Sequence, residues 1–179
     1  MCSSSALALG RPVCVSWKSP FDIEHTFELE LGIMNAMAGG GRVVVRATIG
    51  FAVDERGDGI AYALLGAEGS GGAVVRVPFR CSPAEALRGR DVSYAALRAV
   101  AEEVRGRGVQ HAVFAIEDER LVRELDERLP VPGPLALPYV SLRCALNRFS
   151  EATVVVAGEA AARDLAGRAR AEVSLHVAA

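Results

Sequence analysis

Lysine is almost missing from this chain. Of its 20 basic residues only Lys18 is lysine, and the rest are arginine. Alanine, glycine and valine are abundant, so the arginine follows the coding bias of a GC-rich genome and is weak evidence for phosphate binding. Net charge is −2, which gives no global pull toward nucleic acid or anionic membrane. No two of the four cysteines, Cys2, Cys14, Cys81 and Cys144, form a C-x-x-C pair, which argues against a zinc site. At 179 residues a disulfide scaffold is not needed, so free thiols in a reducing cytoplasm are expected. No apolar run reaches the roughly 20 residues of a spanning helix, so no membrane association is expected. Residues 1–10 lack a basic start and do not read as a secretory signal. Aromatics are sparse, and Trp17, Tyr94 and Tyr139 are too dispersed for a base-stacking platform. His25, His111 and His176 stand in no Ser/His/Asp or Cys/His spacing, and His111 reads as structural.

What is present is a globular balance, 51% hydrophobic against 23% charged, in a chain long enough for one domain with an extension. Residues 1–20 read as irregular. In residues 21–33, Phe21, Ile23, Phe27, Leu29, Leu31 and Ile33 alternate with Asp22, Glu24, Thr26, Glu28 and Glu30. That period of two predicts a strand with one apolar and one acidic face. Gly39-Gly40-Gly41 ends a flexible connection. The extension is therefore 1–41 and the main domain 42–179.

In the main domain, residues 42–53, 60–67 and 73–80 predict an antiparallel meander, joined by turns at 54–59 and 68–72. Ser82-Pro83-Ala84-Glu85 matches a capping box. A helix over about 91–107 follows, with Leu97, Val100, Ala101 and Val104 as its apolar stripe. Residues 109–116 predict a buried strand. Residues 118–129 predict a helix with Leu121, Val122 and Leu125 inward and two outer pairs, Glu119–Arg123 and Glu124–Arg128. A four-proline loop over 130–138 precedes a helix at 139–149, a strand at 152–157 and a last helix at 159–173. The fold class is α/β: a mixed five-stranded sheet, three antiparallel strands and then parallel ones, flanked by helices.

Four short motifs in this order give a resemblance. They are Thr48-Ile49-Gly50-Phe51, Val92-Ser93-Tyr94-Ala95-Ala96-Leu97, Ala115-Ile116-Glu117-Asp118-Glu119 and Ala162-Arg163-Asp164-Leu165-Ala166. Together they resemble the ribonuclease H superfamily, the ribonuclease H type 1 and reverse-transcriptase-like domains. The resemblance implies a ribonuclease H-like fold, with 21–33 as an extra strand. It also implies chemistry on two magnesium ions held by clustered carboxylates. At the family's metal-binding positions this chain has Ile49, Ser93, Asp118 and Arg163, and a shift of one residue offers Asp164 for the last. Isoleucine cannot ligate a hard cation, and arginine repels one.

The leading expectation is thus a degenerate ribonuclease H-like domain, leaning away from enzyme, that serves binding or assembly and needs no cofactor. The rival is an active endoribonuclease on RNA–DNA hybrids, with Mg or Mn held by a rearranged set such as Asp54, Asp58, Asp118 and Asp164. In that reading Asp118 and Asp164 are the catalytic and metal residues. Asp118 also stands where an N-cap is favoured, and Asp54, Glu55 and Asp58 read as a solvated turn. Binding of nucleic acid, RNA–DNA hybrid or RNA, would use Arg163, Arg168 and Arg170. A third reading is a homo-oligomer that pairs through strand 21–33.

Overall fold

The computed structural model describes residues 43–67, 72–83 and 89–177. The strand expected at 21–33 and its connection lie outside the described residues, as do most of the turn at 68–72 and the second half of the capping box.

Five strands form one sheet: β1 (Val44–Val53), β2 (Asp58–Ala67), β3 (Ala73–Arg80), β4 (His111–Ile116) and β5 (Glu151–Val156). Their order across the sheet is β3-β2-β1-β4-β5. β1 pairs antiparallel with β2, and β2 with β3, as the meander predicts. β4 lies parallel to β1, and β5 parallel to β4, because helices carry the chain back across the sheet between them. β1 is central, which explains its apolar residues on both faces.

The helices are α1 (Arg90–Gly106), α2 (Glu119–Leu125), α3 (Ala136–Leu146) and α4 (Glu159–Val177), with a single 3₁₀ turn at Gly133–Leu135. The main core lies between one sheet face and α1, α2 and α3. Val45, Ala47 and Ile49 of β1 meet Tyr94, Leu97 and Val100 of α1 there, with Leu121 of α2 and Leu142 of α3. Phe114 and Phe149 close it edge to face, with ring centroids 5.5 Å apart. α4 covers the other face, and Ala115, Ala157 and Ala162 form a small second cluster.

Glycine is required at two positions. A Cβ on Gly50 would collide with the backbone of α4 at Ala166 and lie 2.6 Å from the Ala162 carbonyl. Gly50 therefore lets α4 sit directly on β1. Gly57 turns the β1–β2 hairpin at φ 87°, and its carbonyl accepts from the Cys81 N–H at 2.9 Å.

Four helix boundaries differ from expectation; two of them are the end of α3, at Leu146 rather than 149, and the end of α4, at Val177 rather than 173. α2 stops at Leu125, and Glu127 takes a positive φ of 61°. α3 starts three residues before the expected start because Pro138 fits within its first turn, where N–H groups have no helical partner.

Candidate functional site

Strands β1 and β4 end at the same edge of the sheet, and α1, α2 and α4 begin there. Ile49 and Ile116 are register partners, and Ile49 faces Ala63 on its other side. Ile49 is 1% exposed and Ile116 is 0%, so this end of β1 is ordinary hydrocarbon core. Ser93 is buried in the first turn of α1.

Asp118 follows β4 and caps α2: its Oδ1 accepts from the Leu121 N–H at 2.9 Å. Asp164 lies on the exposed side of α4 and pairs with Arg168 at 3.3 Å. Arg163 pairs with Glu159 at 3.1 Å. Arg170 donates from Nε to the Ala166 carbonyl at 3.3 Å. Asp54 folds back on its own turn, accepting from Arg56 N at 2.9 Å and Asp58 N at 2.8 Å. Asp58 pairs with Arg80 at 3.1 Å. Each carboxylate of the rearranged set thus has a local structural partner. Among the described residues no three His, Cys, Asp or Glu side chains come together to hold a metal. These residues do not fit a two-metal centre, which needs carboxylates converging on ions roughly 3.5–4 Å apart.

Glu124 lies on the inward face of α2, against expectation. Glu124 was expected on the outer face of α2, paired with Arg128. Its side chain is instead 0% exposed. The Tyr94 hydroxyl and an Arg90 guanidinium N–H each donate to its Oε2 at 2.6 Å, and Arg120 lies 3.5 Å from Oε1. A buried carboxylate survives only with such partners. Burial pushes the Tyr94 phenol well above its ordinary pKa, and the hydrogen bond and charge of Glu124 push it further. The missed signal was positional, since Glu124 lies about 60° from Leu121 around the helix, on the inward arc. Beside this cluster a cavity of about 130 Å³ is lined by Arg80, Asp91, Tyr94, Arg98, Leu137 and Ser141. At about 30 Å³ per water it has room for a few waters or one small ion.

A second polar cluster ties α4 to the sheet. Tyr62 of β2 donates to Glu172 at 2.5 Å, and Arg76 of β3 holds the other oxygen at 2.7 Å. Burial first, and then Glu172, raise the Tyr62 pKa to about 12.

No family model matches the sequence, and no curated protein matches it. Solved structures do. The ribonuclease H1 of Halobacterium salinarum NRC-1 superposes with a TM-score of 0.56 at 20% identity, covering 72% of this chain and 98% of that one. The N-terminal ribonuclease H domain of rv2228c from Mycobacterium tuberculosis gives 0.57 at 18%, covering 75% and 99%. LC11-RNase H1, solved in complex with an RNA/DNA hybrid, gives 0.51 at 11%, covering 72% and 97%. The fold is ribonuclease H-like.

Proposed function

We propose that this ribonuclease H-like domain has lost two-metal catalysis and acts as a binding module. The observation that carries the reading is Ile49, sealed in core beside Ile116 at the position where the resemblance expects a metal-bridging aspartate. Three further facts support it. Ser93 is a buried hydroxyl, Asp118 is committed to capping α2, and Asp164 points to solvent with Arg168.

Nucleic acid is the first partner to test, because LC11-RNase H1 was solved with an RNA/DNA hybrid. On α4 of this chain, Arg163 and Arg168 are each matched by an acid, and net charge is −2. Hybrid binding through α4 is therefore expected to be weak, with a shallow salt dependence that reflects few phosphate contacts.

The test is calorimetric titration of the full chain with Mn²⁺, alongside fluorescence anisotropy with a labelled RNA–DNA hybrid. The reading expects no saturable metal binding, whatever the hybrid does. Two metal ions bound per chain, reduced by Asp118→Asn, would overturn it in favour of the rearranged nuclease.

A further inference from the structure

We propose that the cavity between α1, the end of β3 and the start of α3 binds a small monocarboxylate, with Arg98 as its anchor. Two helix periods build the cavity. Asp91, Tyr94, Ala95 and Arg98 stand at i, i+3, i+4 and i+7 of α1, so they share one stripe of that helix. Leu137 and Ser141 are one turn apart on α3 and form a second wall. Arg80, the last residue of β3, completes the lining. The space they enclose is about 130 Å³.

Arg98 is the group that calls for a ligand. Its Nε is shut off from solvent, yet among the described residues no acceptor takes its N–H. Glu102 Oε1 is 3.8 Å away, beyond hydrogen-bond length. A buried donor without an acceptor costs free energy, which an acceptor in the cavity would return. The side chain as a whole is 43% exposed, so the guanidinium stays within reach of an entering solute. Ser141 adds a hydroxyl to the same cavity. The Tyr94 hydroxyl is committed to Glu124, so Tyr94 offers only its ring.

Charge and size select the class. Two guanidinium groups, Arg80 and Arg98, against one carboxylate, Asp91, leave the lining with one positive charge in excess. The acids beside those arginines, Asp58 at 3.1 Å from Arg80 and Glu102, are exposed and screened by water. A single carboxylate neutralises the excess. A phosphate dianion would overshoot it beside Asp91, which is only 3% exposed. The rest of the wall is apolar, Ala95, Leu137 and Pro138 with the Tyr94 ring. Leu137 is left 76% exposed, and a short hydrocarbon body would cover part of it. At about 30 Å³ per water-sized group the cavity takes about four of them, the size of acetate or propionate.

The test is an amide-resolved NMR titration of the full chain with sodium propionate at constant ionic strength. It is repeated on the Arg98→Gln variant, and with inorganic phosphate on the native chain. The expected result is saturable shifts at the Ala95, Arg98 and Ser141 amides, with propionate binding at least about tenfold weaker in the variant. Amides of Ala47 and Phe114, deep in the main core, should coincide in the two proteins, showing that the variant is folded. No saturable shift at the cavity amides overturns the proposal. Equal propionate affinity in the folded variant overturns it, since Arg98 would then not be the anchor. Phosphate binding at these amides more tightly than propionate overturns the monocarboxylate class.

Discussion

Returning a carboxylate to β1 is the sharpest perturbation this structure offers. Ile49 is 1% exposed, flanked by Ala63 and Ile116, and faces α1 across the main core. Ile49→Asp removes a buried aliphatic side chain, which alone costs about 2–5 kcal/mol. It also strands a polar group with no partner, adding about 1–3 kcal/mol. The sum, about 3–8 kcal/mol, rivals the whole stability of a typical domain, about 5–15 kcal/mol. In a working two-metal site bound cations would offset that cost. On the proposed loss of that site, added Mg²⁺ should not rescue the variant. The assay is urea unfolding followed by circular dichroism, with and without excess Mg²⁺. A large fall in midpoint that Mg²⁺ leaves untouched is expected. A variant as stable as the native chain, or one restored by Mg²⁺, would show that β1 still borders a metal site.

Further expectations concern the structural devices. Tyr94→Phe takes a donor from the buried Glu124 and should cost about 1.5–3 kcal/mol in chemical denaturation. Gly50→Ala drives a methyl into the α4 backbone and should destabilise by more than the ordinary surface-mutation range of about 0.5 kcal/mol. The Tyr62 pKa of about 12 lies above the unfolded value of 10. The unfolded chain thus releases its proton first, and stability should be intact below pH 10 and decline between pH 10 and 12. Tyr62→Phe should flatten that part of the pH–stability curve, while the Tyr94 shift keeps the same sign.

Much of the fold was legible because it rests on local pattern. The apolar run of β1, the turns that separate β1, β2 and β3, and the stripe of α1 at Leu97, Val100, Ala101 and Val104 are properties of neighbouring residues, and they predicted the meander and the crossover. The sheet order then follows from the crossover rules. Glu124 was misread because its burial depends on Arg90 and Tyr94, 34 and 30 residues away, which no helical period reveals. Arg128, its expected partner, instead lies 3.9 Å from Asp126. α3 starts earlier than expected because the four prolines of 130–138 read as one loop, although a proline in a first turn breaks no helical hydrogen bond. At the candidate site, residue types alone showed what stands at Ile49 and Ser93. That Asp54, Asp58, Asp118 and Asp164 each have a local role is a matter of three-dimensional geometry, which spacing does not carry.

The proposed loss of two-metal hydrolysis is tested by incubating the purified full chain with an end-labelled RNA–DNA hybrid in Mg²⁺ or Mn²⁺, beside the Asp118→Asn variant. No RNA cleavage above that of the variant is expected in either metal. Metal-dependent cleavage by the native chain that Asp118→Asn abolishes would contradict it.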